Sequence, residues 1–325
     1  MARMELQFLG TSSGTPTKTR NVAGVALRLD GGGWVLVDCG EGTQHRLLHT
    51  NLSLHTLQAI CITHLHGDHC YGLPGLLASA GMANRTAPLM LVGPPALQAY
   101  LDGVMASTGL HLPYELIFVP VQQLAGRQPV PDLDISATPL SHRVPCWGYR
   151  FAERDVERRL DVAQLRAEAV PAGPLWGRLQ QGEDVTLPDG RVLRPVDYLL
   201  PARRPRAIVI AGDNDRPGLL AEAMQDADVL VHEATYTQAV LEKVGPGPQH
   251  SSARIVAAFA AAARVPNLVL THFSPRYQDA GTGPSTLAEL ADEARAQFDG
   301  PLFLAADLAR YRLDREGVLH PVAPG

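Results

Sequence analysis

Four side chains of the types that hold metal ions crowd into one short run, Thr63-His64-Leu65-His66-Gly67-Asp68-His69. The apolar stretch Leu57 to Ile62 before it has the composition of a strand, and Gly72-Leu73-Pro74-Gly75-Leu76-Leu77 after it reads as a loop turning into a helix. Residues two apart in an extended segment face the same way, so His64 and His66 point together. Gly67 lets the chain bend and redirects Asp68 and His69. Mixed nitrogen and oxygen donors suit zinc, with manganese or cobalt as less selective substitutes. A single His-x-His is common at surface turns. Four ligand-type side chains directly after an apolar strand are hard to explain as packing.

Other candidates also stand where an apolar strand ends. His142 follows the strand Leu133 to Leu140, Asp213 follows Ala207 to Ala211, and His272 follows Leu268 to Thr271. A lone histidine such as His142 is usually structural; counted as ligands with the histidine run, these residues would make five imidazoles and two carboxylates. One tetrahedral ion takes four ligands at most, so seven donors fit two ions that share a carboxylate. Two such ions about 3.5–4 Å apart suit hydrolysis of a phosphodiester, because both stabilise a shared hydroxide and the charge that builds on phosphorus.

The elements that carry these residues alternate. Strands are expected at Met4 to Leu9, Trp34 to Val37, Leu57 to Ile62, Pro88 to Val92, Leu116 to Val121, Leu133 to Leu140, Ala207 to Ala211, Val229 to about Thr235, and Leu302 to Leu304. Helices are expected over 43–56, with His45, His49 and His55 spread around it as surface or packing residues, over 97–107 and over 252–263. Two sheets covered by helices follow from this pattern. The loop Gly10-Thr11-Ser12-Ser13-Gly14-Thr15-Pro16 could cradle a phosphate through its N–H groups, but it lacks the Lys-Ser/Thr ending of a nucleotide P-loop, and a plain turn is the better reading in isolation. Arg20 and Asn21 follow it and could reach an anionic ligand.

At 325 residues, with 46% hydrophobic and 19% charged residues, the chain has an ordinary globular composition. It has no apolar run of about 18 residues, so no membrane span is expected, and it enters a strand at once, so no signal peptide is expected. The cysteines Cys39, Cys61, Cys70 and Cys146 form no Cys-x-x-Cys pair and are expected to be reduced thiols of a cytoplasmic protein. Cys70 adjoins His69, but a small buried thiol is the better reading. The net charge of −5 argues against a surface coated for nucleic acid, and no zinc finger or basic helix supports a DNA-binding protein. Basic residues concentrate instead between 143 and 206, where 12 Arg stand against 9 Asp plus Glu.

Several motifs together carry a resemblance. Phe8-Leu9-Gly10-Thr11-Ser12-Ser13-Gly14, Arg20-Asn21-Val22, Asp38-Cys39-Gly40-Glu41-Gly42-Thr43-Gln44, the histidine run from Thr63, and His232-Glu233-Ala234-Thr235 resemble ribonuclease Z, the tRNA 3′-processing endonucleases of the metallo-β-lactamase fold superfamily. The likeness runs from Met4 to about Arg312. It departs from the family's pattern at Asn214, where threonine is usual, and at Ser252, again in place of threonine. The resemblance implies an α/β fold, a four-layer αββα sandwich forming a single domain over 1–325 with a flexible tRNA-binding arm inserted at 150–206.

It also implies roles for individual residues. His64, His66 and His142 would hold one zinc, Asp68, His69 and His272 the other, and Asp213 would bridge them. Asp38 would orient the ligand loop from behind. Asp68 would act as general base or orient the nucleophile, His250 with Glu233 would give a proton to the leaving oxygen, and His232 would help order that network. The segment Pro171-Ala172-Gly173-Pro174-Leu175-Trp176-Gly177-Arg178 resembles the family's arm, with Gly173, Pro174, Arg178, Arg191 and Arg194 as candidate tRNA contacts. The products would be a tRNA with a free 3′-hydroxyl and a trailer with a 5′-phosphate, and the enzyme would be a homodimer. The alternative is another two-metal hydrolase of the same fold acting on small phosphodiesters, lactams or thioesters, which would not need the arm.

Overall fold

The computed structural model describes residues 4–323 other than 155, 157 and 282–284. In chain order the strands are β1 (Met4–Gly10), β2 (Gly24–Leu29), β3 (Trp34–Val37), β4 (Leu57–Cys61), β5 (Leu89–Gly93), β6 (Leu116–Pro120), β7 (Leu133–Leu140) and β8 (Cys146–Glu153). They continue as β9 (Val185–Thr186), β10 (Val192–Leu193), β11 (Ala207–Ile210), β12 (Val229–Glu233), β13 (Asn267–Thr271), β14 (Leu302–Leu304), β15 (Arg310–Leu313) and β16 (Leu319–Val322). The chain divides into two compact units, Met1–Ala152 with Arg206–Gly325, and Glu153–Pro205.

The first unit holds an eight-stranded sheet, ordered β16-β15-β1-β2-β3-β4-β5-β6, and a six-stranded sheet, ordered β14-β13-β12-β11-β8-β7. Side chains alternate across each strand, and both faces of each sheet are apolar. From β3, Val35 and Val37 join a core shared with Tyr149, Phe151, Ile208, Val231 and Val269 of the other sheet. Trp34 and Leu36 point the opposite way, against Leu76, Leu77, Leu97 and Leu101 of the helices Leu73–Met82 and Ala96–Thr108. On the six-stranded sheet, Val209, Leu230, Leu268 and Leu270 meet Val256, Ala260 and Leu290 of the helices Ala253–Ala262 and Leu287–Arg295. The layers are therefore helix, sheet, sheet, helix. The parallel groups β3-β4-β5-β6 and β11-β12-β13-β14 bring their C-terminal ends, and the loops that follow, within reach of each other.

The helix expected over 43–56 is much shorter. Only Thr43–Leu47 is α-helical, and Leu54–Thr56 is a single 3-10 turn. The Thr50 hydroxyl donates to the Leu47 carbonyl and accepts from the Leu52 N–H, so it competes with the helix ladder. Ser53 then accepts from the His55 N–H and starts the new turn. His45, His49 and His55 are exposed, as expected.

The second unit contains the helices Val162–Ala167, Pro174–Gln180 and Pro195–Tyr198 and the ribbon β9-β10. Its own small core gathers Leu165, Val170, Leu179, Val185, Leu193 and Tyr198. The glycine-proline stretch is not an irregular loop throughout. Pro174 opens the helix Pro174–Gln180, where its missing N–H costs nothing. The unit is narrower than 150–206, because Arg150 to Ala152 pair with β11 in the six-stranded sheet.

Candidate metal centre

All the candidate donors come from the ends of strands or the loops just beyond them. Thr63 to His69 follow β4, Asp213 follows β11, His272 follows β13 and His142 follows β7. Two of these turns place a non-glycine residue in the left-handed region, Asp38 at φ 60° after β3 and His272 at φ 58° after β13. That conformation is costly for a histidine and turns its side chain out of the strand direction. Close approach fixes the loop after β3 as well. A Cβ on Gly40 would come within 2.3 Å of the Asp68 carbonyl oxygen, so only glycine lets this loop lie against the histidine run.

Two clusters of donor atoms share one carboxylate. His66 Nδ1 lies 3.1 Å from His64 Nε2 and 3.0 Å from His142 Nε2. Asp213 Oδ2 is 3.7 Å from each of the latter two atoms. In the second cluster His69 Nε2 and His272 Nε2 are 3.2 Å apart, and Asp68 Oδ2 lies 3.5 Å and 3.3 Å from them. Asp213 Oδ1 is 3.5 Å from His69 Nε2 and 3.4 Å from His272 Nε2. Asp213 thus turns one oxygen to each cluster.

The outer nitrogens of four histidines are committed, which leaves lone pairs facing one another. His69 Nδ1 donates to Asp38 Oδ2 at 2.7 Å. His64 Nδ1 donates to the Thr63 hydroxyl at 3.0 Å, and that hydroxyl donates to Asp38 Oδ2 at 2.9 Å. His142 Nδ1 donates to the Gln249 carbonyl at 3.0 Å, and His272 Nδ1 to the Thr235 hydroxyl at 3.1 Å. In the neutral imidazoles each inner nitrogen is then an acceptor with no hydrogen to share. Donors about 2.0–2.1 Å from one tetrahedral zinc stand about 3.3–3.4 Å apart, close to the separations here. The residues fit a cation, and the site is compatible with metal binding.

Charge around the clusters supports the same conclusion. Burial, then His69, His142 and His66, push His64 well below its ordinary range, so it stays neutral. Burial also lowers His66 and His142. Burial alone would raise the Asp68 carboxyl, yet His69, His272 and the Gly14 N–H hold it well below the usual carboxylate range. At His69 burial is outweighed by Asp213, Asp68 and Asp38, which push it up to about 10. Three carboxylates drawing a proton onto one imidazole are a demand for positive charge that a bound cation meets.

Beside the clusters, Glu233 is buried at the end of β12. Its Oε1 accepts from Ser251 N–H at 2.9 Å and from His250 Nδ1 at 3.2 Å, and its Oε2 accepts from the Thr235 hydroxyl at 2.6 Å. His250 foremost, then His272 and His232, overcome burial and hold Glu233 well below its ordinary value. Burial opposes charge on His250, but Glu233 and Asp213 outweigh it and push His250 up to about 9. His232 lies inside β12, fully buried, with Nδ1 donating to the Glu233 carbonyl at 2.8 Å and Nε2 accepting from Asn214 Nδ2 at 3.2 Å. It belongs to neither donor cluster.

The structure corrects two sequence readings. The N–H groups of Thr11, Ser12, Ser13, Gly14 and Thr15 are spent on Asn21, Phe273, Asp68 and Ser13, so the glycine-rich loop holds no phosphate cradle. Its use is different: Gly14 N–H donates to Asp68 Oδ2 at 2.7 Å. Arg20 is buried and bonded to Asp279 and to the Ser274 and Tyr277 carbonyls, so it anchors the loop after His272 rather than facing a ligand. Burial, with Asp38 and Asp68, pushes the Cys70 thiol up to about 12, and no donor cluster among the described residues contains a cysteine.

In the second unit, Gly173, Pro174, Arg178, Arg191 and Arg194 are all exposed. Arg178 pairs with Glu183 at 2.8 Å and Arg191 with Asp189 at 2.8 Å. Thr63, Thr235, Gly14 and the Gln249 carbonyl support the site although sequence reasoning gave them no part in the metal centre. Thr63, Gly14 and Thr235 had a signal, their places in the quoted motifs.

The helix-sheet-sheet-helix layering and the histidine-aspartate centre at its strand ends define a protein of the metallo-β-lactamase fold. A solved structure of that fold, the YhfI protein of Bacillus subtilis, matches with a TM-score of 0.66 at 17% identity, over 95% of this chain and 99% of that one. Among curated relatives, ribonuclease Z of Marinobacter nauticus is 51% identical over 98% of this chain and 99% of its own length. Ribonuclease Z of Pseudomonas putida is 52% identical over 98% and 100%. The crystal structure of human tRNase Z, short form, matches with a TM-score of 0.63 at 25% identity, covering 94% and 98%. A family model described as anti-Pycsar protein Apyc1 matches residues 4–111, a segment that holds the histidine run but not Asp213 or His272. The chain belongs to the ribonuclease Z family.

Proposed function

We propose that this protein is a metal-dependent endoribonuclease that removes the 3′ trailer from precursor tRNA, leaving a 3′-hydroxyl on the tRNA and a 5′-phosphate on the trailer. The single observation that carries the chemistry is the pair of donor clusters joined through the two oxygens of Asp213. The full-length likeness to ribonuclease Z carries the substrate. His64, His66 and His142 would hold one zinc and Asp68, His69 and His272 the other, with Asp213 placed to serve both. When bound, the pair of ions supplies an activated water at neutral pH and offsets negative charge on the phosphoryl group.

The protein's own groups do the rest. Asp68 lines the cleft with its carboxyl held strongly ionised, which suits it to orient the attacking water more than to keep a proton. Asp38 and Thr63 fix the tautomers of His69 and His64. His250, whose ring Glu233 and Asp213 make more basic, is the donor to the leaving oxygen, with Glu233 holding its ring. His232 orders Asn214, whose N–H donates to Glu233 Oε1.

The unit 153–205 is the tRNA-binding arm, inserted into one metallo-β-lactamase domain, with Gly173, Pro174, Arg178, Arg191 and Arg194 as its RNA contacts. The working form is a homodimer. A cytoplasmic setting agrees with four free, buried cysteines. Among the described residues no helix is long and apolar enough to cross a membrane.

Purified protein is incubated with a precursor tRNA carrying a 3′ trailer, with zinc or with chelator, and the cut is mapped. A single metal-dependent cut after the discriminator base is the expected result. Cleavage of bis(p-nitrophenyl) phosphate without cleavage of the precursor would leave the metal centre standing and remove the tRNA assignment.

A further inference from the structure

One aromatic ring stands open beside the donor clusters. Tyr71 is 62% exposed, and it is the one aromatic among the exposed large apolar side chains of the described residues. It ends the short helix Gly67–Cys70, its N–H bonded to the Gly67 carbonyl at 2.9 Å. The ring lies flat against Gly67, so closely that a Cβ there would come within 2.1–2.5 Å of three ring atoms. The glycine inside the histidine run therefore does more than bend the chain: it leaves the space that the tyrosine ring fills. One side of the ring is fixed by backbone and the rest is open.

The ring lines the same cleft as His66, Asp68 and His250. Arg143 lines it too, exposed and without an ion pair or hydrogen bond among the described residues. An immobilised aromatic face and a free guanidinium flanking a hydrolytic centre match the two parts of a nucleotide, a base that stacks and a phosphate that takes a planar cation. We infer that Tyr71 and Arg143 form a nucleotide subsite in which the base next to the scissile phosphate stacks on Tyr71 while Arg143 takes a neighbouring phosphate. This rests on the endoribonuclease reading and names the ribonucleotide that the cleft receives.

The test compares precursor tRNAs that are intact or abasic at each nucleotide flanking the cut, with wild type, Tyr71→Leu, Tyr71→Trp and Arg143→Gln. In the wild type, losing the stacked base is expected to lower kcat/KM about ten-fold. Tyr71→Leu shows a similar loss on intact RNA, mainly in KM, and becomes insensitive to base removal. Tyr71→Trp restores the rate, which a merely structural role would not do. Arg143→Gln weakens intact and abasic RNA alike. Equal base sensitivity in wild type and Tyr71→Leu, or equal damage from Leu and Trp, would overturn the subsite while leaving the endonuclease intact. A wild type that cleaves no precursor at all would remove the endonuclease reading and the subsite with it.

Discussion

The two units solve opposite problems with the same chain. In the strand-end loops of the first unit, a donor such as His69 is buried, hydrogen-bonded on its outer side to Asp38, and held within 3.2–3.5 Å of its neighbours. Residues 153–205 have a small private core and exposed arginines that pair with nearby acids. Displacing a catalytic atom by a fraction of an ångström matters, so its support is over-determined. The RNA contact proposed for this unit calls for charge and reach, and tolerates loosely held side chains. Rigidity is thus concentrated where geometry limits the rate.

The strongest way to break this contrast is Asp213→Ala. Removing the shared carboxylate is expected to lower bound metal below two ions per chain and cut cleavage about a thousand-fold or more, read by metal analysis and by rate. Full metal content with near-normal turnover would show that Asp213 is not the bridge.

His250→Ala comes next, with an expected loss of about 10²–10⁴-fold in kcat. The sign of its pH dependence follows from its raised value. The protonated donor dominates below about 9 and is lost as pH rises through it, so the rate falls on the alkaline side. Glu233→Gln removes the larger carboxylate contribution and should move that fall to lower pH. An alkaline limb unmoved by Glu233→Gln would remove His250 as the donor.

Asp38→Asn leaves the donor set complete but disturbs the outer partner of His69, and should weaken metal affinity about 10–100-fold in chelator competition. Leu179→Ala probes the other side of the comparison. A unit of about 50 residues carries about 3–8 kcal/mol of stability, and a buried leucine lost to alanine costs about 2–5 kcal/mol. The arm core should therefore loosen and tRNA cleavage drop about ten-fold, while hydrolysis of bis(p-nitrophenyl) phosphate persists. The smallest effect belongs to Arg178→Ala. Its exposed pair with Glu183 contributes at most about 1 kcal/mol, so stability should hardly change and KM for tRNA should rise about two-fold.

Much of the centre could be read in one dimension because its chemistry is local. His64, His66, Asp68 and His69 lie in one loop after one strand, and spacing alone marks them as ligand types. His142, Asp213 and His272 are separate residues, each at a strand end, and family resemblance more than spacing joined them to the rest. The alternation of short apolar runs with helical stretches also announced two sheets and their helices, since a strand buried on both faces, such as Trp34–Val37, reads as a continuous apolar run.

Folding decided the contacts between distant loops. That Gly14 holds Asp68, that Thr63 links His64 to Asp38, that Thr235 ties Glu233 to His272, and that the loop amides are used up internally all depend on loops that follow different strands meeting at the strand ends. Arg20 looked like an anion contact and became a buried anchor for the same reason. Residue type determines what a side chain is able to bind, but burial and the nearest partner decide what it does bind. A hydrogen bond spanning some 25 to 250 positions leaves no periodicity by which to find it.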